Sequence, residues 1–235
     1  MGLNLNYTPN RLVDITTLTE DQWLSWRRKG IGGSDVAVAL NSSPYRTARD
    51  LYYDKIGVVM SDDGPDRSIT FQIGHLLEDV VAQIFAKKTG LSVYEDHWMY
   101  QHPFFPFLIA DVDRFVTLPD GRKAILECKT AHYDMQFKWA NGAVPRHYEL
   151  QVRHYMSVMN IDVAFIACSQ IMRMTLYGKR LSVTSRKKRT RSWSCRHSGI
   201  ITSWLVWSRL WSKSQMRFWS LFVAISALLT SLNRL

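Results

Sequence analysis

The sequence predicts an α/β domain of α+β character, a mixed sheet flanked by helices, and three observations carry this. Segments with a helical apolar period come first, and the longest of them spans about five turns. A block of short strand-like segments follows, punctuated by the turn PDGR. One more amphipathic helix then leads into a continuous apolar run, Val163 to Cys168, of the kind a central strand shows. An apolar content of 46% with nine tryptophans is enough to build a core.

The elements follow in order. LTEDQWLSWRRKG predicts a first helix capped by Thr19, with Gln22 completing a capping box. Gly30 ends it after Arg27, Arg28 and Lys29, cations suited to a helix C-terminus. IGGSDVAVAL predicts a short second helix with Ser34 as its N-cap. SSPYRT is a turn, Thr47 opens a third helix running to Gly57, and MSDDGPDRS is a polar loop. In FQIGHLLEDVVAQIFAKKTG, residues Ile73, Leu76, Leu77, Val80, Val81, Ile84 and Phe85 form one apolar stripe. Glu78 falls at the margin of that stripe, one turn after Gly74.

LSVYED and HWMYQ predict short strands. PFLIADVDRFVTL and KAILECKTA, joined by PDGR, predict a hairpin. VPRHYELQVRHYMSVMN predicts a helix with Pro145 in its first turn and Tyr148, Val152, Tyr155 and Met159 on one face. Gln151 and Tyr155, four apart, are neighbours on that helix. His147 and His154 read as surface or edge residues, since no histidine spacing suits zinc.

The net charge of +10 is unevenly distributed. All 20 acidic residues lie at or before Asp162, with 17 of the 30 basic ones, which leaves that part near −3. The last 73 residues hold the other 13 basic residues and no acid. Bulk charge therefore says little about whether the domain itself binds nucleic acid. Cys128, Cys168 and Cys195 are widely spaced, which fits neither a four-cysteine metal site nor a disulfide framework and is consistent with a reducing cytoplasm. The N-terminal residues lack the basic and apolar pattern of a secretory signal.

Chemistry concentrates in AILECKTA. Residues two apart in a strand share a face, so Glu127 and Lys129 project together while Leu126 and Cys128 point into the core. Asp111 and Asp113 lie on the preceding arm. Carboxylates converging at one end of a sheet suit a hard divalent cation, and an ammonium beside them can orient or activate a water. The plain alternative is a cross-strand ion pair, Glu127 with Arg122 or Lys129 with Asp113.

Five stretches in order, WLSWRRKGIGGSDVAVAL, IGHLLEDVVAQIF, ADVDRFV, ILECKTA and YELQVRHYMSV, resemble the YqaJ-type viral recombinases. These are relatives of the bacteriophage lambda exonuclease in the PD-(D/E)XK nuclease superfamily, and the resemblance covers about residues 20 to 168. It implies a restriction-endonuclease-like core and a Mg²⁺-dependent (or Mn²⁺-dependent) 5′→3′ exonuclease that resects double-stranded DNA in the host cytoplasm. Asp113 and Glu127 match metal ligands, with Glu78 and the backbone carbonyl of Cys128 completing the set. Lys129 matches the catalytic lysine, and Gln151 and Tyr155 match the motif that closes the active site. Arg27 and Ser34 match positions that hold the phosphate at the 5′ end, although both have plain structural uses as a helix-end charge and a cap. The resemblance further implies a single-strand annealing protein as partner and a ring-shaped trimer. The alternatives are an endonuclease of the same superfamily and a catalytically dead DNA-binding protein.

The resemblance stops near Ser169, which divides the chain into a domain at 1–169 and a tail at 170–235 rich in Ser, Arg and Trp. The abrupt change points first to an out-of-frame translation, ahead of a basic DNA-binding extension or a membrane anchor. The apolar stretch FWSLFVAISALLTSL, 15 residues long, is short for a spanning helix.

Overall fold

The computed structural model describes residues 6–58, 65–131, 133–170 and 176–182. The readings made above for the rest of the tail, and for residues 59–64 of the polar loop, lie outside them. Among the described residues, eight strands form two sheets and five α-helices pack on them. The predicted α/β mixed-sheet class is what the chain adopts.

Helix α1 (Glu20–Arg28) begins at Thr19, whose hydroxyl accepts the Gln22 amide while the Gln22 side chain accepts the Thr19 amide. This is the predicted capping box. Helix α2 (Gly33–Ala39) corrects the prediction at its start, because Gly32, not Ser34, is the N-cap. Asp35 Oδ2 accepts the Gly32 amide at 2.9 Å, so the carboxylate three residues on does the capping work. Helix α3 (Ala48–Lys55) starts at Thr47 as predicted, and Gly57 follows it at φ 76°. Helix α4 (Pro65–Thr89) begins earlier than predicted, taking in the end of the presumed loop, with proline at its first position.

The predicted hairpin forms across PDGR, but its first arm is two strands. Strand β4 (Ile109–Asp111) joins a three-stranded sheet with β1 (Asn10–Asp14) and β3 (Trp98–Gln101), in the order β1-β3-β4. The chain then breaks at Val112 and Asp113 and enters a second sheet as β5 (Arg114–Thr117). That sheet runs β2 (Ser92–Tyr94), β5, β6 (Lys123–Ala131), β7 (Val163–Gln170), β8 (Leu176–Ser182). All its pairs are antiparallel except β6 with β7, joined through α5 (Arg146–Met159) as a crossover. Strands β1 and β8 were not predicted. In α5, Pro145 sits at the N-cap just before the first turn.

The five-stranded sheet lies between two cores. On one face Ala124, Leu126, Cys128, Val163, Phe165 and Ala167 pack on Val81, Ala82 and Phe85 of α4. On the other, Phe115, Ile125, Ala164 and Ile166 pack with α5 and α2. Strand alternation sends β6 residues 125, 127 and 129 to this second face. The apolar stripe of α4 is only partly used: Ile73 and Leu76 are 46% and 75% exposed, and Val80 is also exposed. His154, expected at the surface, is buried and donates from Nε2 to the Ile109 carbonyl at 2.8 Å. Among the described residues no helix is long and apolar enough to cross a membrane.

Candidate active site

Glu127 sits in the middle of β6, flanked by β5 and β7, with no exposed surface at all. Lys129 Nζ lies 2.5 Å from its Oε1, close enough for an ion pair but off the line of a hydrogen bond. Neither carboxylate oxygen has a hydrogen-bond donor among the described residues. A buried carboxylate left so is costly. Burial first, then the neighbouring Asp113 charge, pushes the Glu127 carboxyl up to about 8. Burial would depress the Lys129 ammonium, but Glu127 and Asp113 beside it hold it well above the ordinary lysine value. The ammonium therefore stays charged.

Asp113 occupies the break between β4 and β5. Its Oδ2 accepts the backbone amide of Cys128 at 2.8 Å, the bond that fixes it beside β6. Arg114 donates to the Asp113 carbonyl at 2.6 Å and pairs with Asp79 of α4 and with Glu95 at 2.7 Å. The Cys128 side chain points to the α4 core, as predicted. Asp111 neighbours these groups and accepts the Trp23 indole N–H at 2.8 Å. The plain ion-pair alternative does not hold. Arg122 pairs with Asp120 at 2.8 Å and Asp162 at 2.7 Å, and Lys129 turns to Glu127.

Glu78 reaches the same region from α4. Burial, then the Asp113 charge, raises its carboxyl to about 7, and His75 Nδ1 lies 3.2 Å from Oε2. From α5, Gln151 Nε2 donates to the Tyr155 hydroxyl at 3.2 Å. Tyr155 is buried, so it supports Gln151 from beneath. A Cβ on Gly33 would lie 2.5 Å from Cε1 of Tyr155 and 2.8 Å from Cγ of Gln151, so α2 meets α5 here only because residue 33 is glycine. The Lys129 ammonium also lies 5.4 Å from the ring centre of Tyr148.

Arg27 and Ser34 form a separate pair. Arg27 Nη2 donates to Ser34 Oγ at 2.7 Å, and the guanidinium lies 4.8 Å from the Trp23 ring centre. With Gly32 as the cap, a capping serine no longer supports an anion site, and Arg27 is the group that could hold one.

The donor chemistry fits a hard divalent cation. The Asp113 charge helps to raise the Glu78 and Glu127 carboxyls, and Glu127 has two buried oxygens without hydrogen bonds. Among the described residues no three metal-binding side chains are gathered into a ready ligand set. Glu78 is turned to His75, Asp113 to the Cys128 amide and Glu127 to Lys129, so binding a cation requires these side chains to rotate.

The structure thus brings Asp113, Glu127, Lys129, Glu78 and the Gln151–Tyr155 pair together, and sets Arg27 with Ser34 beside α2. Sequence reasoning missed Arg114, Tyr148 and a buried Lys55–Asp35 pair. Their contacts span long separations, so no spacing signals them.

A family model described as a YqaJ-like viral recombinase domain matches residues 22–162. The protein YqaJ of Bacillus subtilis (strain 168), described as uncharacterized, is 38% identical over 148 residues. That match covers 63% of this chain and 45% of the relative, so the chain matches less than half of that protein's length. Among solved structures, an alkaline exonuclease (LHK-Exo) from Laribacter hongkongensis aligns with a TM-score of 0.63 at 15% identity, over 91% of this chain and 96% of that one. LHK-Exo in complex with dAMP aligns with a TM-score of 0.55 at 17% identity, over 69% and 82% of the two chains. The chain accordingly shares the fold of LHK-Exo.

Proposed function

Because the chain belongs to the YqaJ-like viral recombinase domain family, we propose that it is a metal-dependent 5′→3′ exonuclease acting on double-stranded DNA. The observation that carries this is Glu127, fully buried without hydrogen bonds beside a charged Lys129, with Asp113 and Glu78 near enough to raise it. A fold keeps such a costly group where chemistry uses it.

Asp113, Glu127, Glu78 and the Cys128 carbonyl would hold Mg²⁺ or Mn²⁺. Bound there, the ion would polarise a phosphoryl oxygen and lower the pKa of a water. Lys129 acts as an ammonium donor that orients the attacking water and offsets charge growing on the phosphate oxygens. Gln151, backed by Tyr155, closes the site from α5. Arg27, steadied by Ser34, holds the 5′ phosphate of the strand being cut, since a guanidinium matches phosphate geometry. Resection would leave a single strand for an annealing protein, inside the host cytoplasm, with a trimeric ring as the assembly to look for.

The test is degradation of end-labelled linear duplex in Mg²⁺. Wild type is expected to release 5′ nucleotides, EDTA to abolish release, and Lys129→Ala to slow it by about 10²-fold or more. A covalently closed circle should survive. Cutting of the circle would favour an endonuclease, and equal, negligible rates for wild type and variant would favour a DNA-binding protein without activity.

A further inference from the structure

Lys55 ends α3 with 7% of its side chain exposed, and its Nζ lies 2.7 Å from Asp35 Oδ2, whose side chain is 4% exposed. The same ammonium donates to the Arg27 carbonyl at 2.8 Å, tying the end of α1 to α3. Asp35 Oδ2 also accepts the Gly32 amide at 2.9 Å. Arg27 is the competing cation. A Cβ on Gly32 would stand 3.5 Å from Asp35 Oδ2 and 3.7 Å from Arg27 Nη2, so both charges border one small volume. Yet Arg27 donates to Ser34 Oγ, and among the described residues no carboxylate lies within ion-pair distance of it.

A buried carboxylate demands a cation. Two are within reach of Asp35, and Lys55 satisfies it. We propose that Lys55 is a positioning residue: by neutralising Asp35 and pinning the end of α1, it leaves the Arg27 guanidinium available to an external phosphate at a DNA 5′ end. This rests on the phosphate-holding reading of Arg27 and Ser34. Lys55 is buried at the end of α3 rather than left as a solvated helix-end charge. Its single ammonium serves both the carboxylate that would otherwise capture Arg27 and the backbone that carries Arg27.

The experiment compares initial rates of the full-length chain on linear duplexes with 5′-phosphate and 5′-hydroxyl ends. In Lys55→Met, Asp35 loses its partner and takes Arg27. The preference for the phosphorylated end should fall roughly tenfold, to that of Arg27→Ala. The Asp35→Asn/Lys55→Met pair removes both the carboxylate and its cation, and should recover most of the preference. Asp35→Asn alone should keep it. Inorganic phosphate should raise the Tm of wild type and of the double variant more than that of Lys55→Met, a readout independent of turnover. A wild-type preference retained in Lys55→Met, or a folded double variant no better than Lys55→Met, overturns the proposal. Should Lys55→Met fail to fold, loss of the preference in Asp35→Asn overturns it instead. A wild type indifferent to the 5′ phosphate, with Arg27→Ala unchanged, would sink the phosphate-holding reading itself, and the role of Lys55 with it.

Discussion

At the scale of single residues, the site depends on groups too small or too buried to advertise themselves. Gly33 has no room for a methyl group, since Tyr155 and Gln151 would stand 2.5 to 2.8 Å away. Gly33→Ala is expected to cost about 1–3 kcal/mol, because the buried ring of Tyr155 must move. It should also slow the exonuclease by about tenfold or more, since Gln151 moves with it. Urea unfolding and a resection assay on the same preparation check both. A glycine in IGGSD is visible in the sequence, but which side chain fills the space beside it is not. The same holds for Asp113, placed by the Cys128 amide 15 residues away. By contrast, Glu127 beside Lys129 and Gln151 beside Tyr155 were legible, because strand and helix periods bring residues two or four apart together.

At the scale of elements, α4 shows where periodicity runs out. Seven apolar residues form one stripe, yet among the helix residues whose burial is described only Val81, Ala82 and Phe85 are buried against the sheet, while Ile73 and Leu76 are exposed. The period assigns residues to a face, but the length of sheet beneath the helix decides how much of that face is covered. Phe85→Ala should therefore destabilise the domain by about 3–5 kcal/mol. Leu76→Ser should stay within roughly 0.5 kcal/mol of wild type. A denaturant midpoint for each variant decides. The predicted hairpin forms across PDGR, but only with the second half of its first arm. Its first arm reads as one strand, but it splits at Asp113 so that β4 and β5 serve different sheets.

At the scale of the whole molecule, the burial of α5 gives a pH dependence. His154 is enclosed between α5 and β4, and burial pushes its imidazole down to about 4 from an ordinary 6.5. The folded protein then binds this proton less readily than the unfolded chain. Its contribution is complete above about pH 6.5 and is lost as pH falls toward 4, with a slope approaching 1.4 kcal/mol per pH unit. His154→Gln keeps an N–H donor for the Ile109 carbonyl without the titration, so its acid-side stability curve should be flatter. Thermal melts from pH 7 to pH 4 measure this, and identical slopes would refute it.

The sequence by itself determined the fold class, most helix boundaries, the E-x-K strand, the Gln151–Tyr155 helix and membership of the family, all of which rest on short-range pattern and ordered motifs. Only the tertiary structure decided that β6 and β7 run parallel, that Glu127 is fully buried, and that Lys55 rather than Arg27 answers Asp35. Those facts depend on sheet register and on which charges are enclosed together. Both are set by packing between residues far apart in the chain, where local periodicity carries no information.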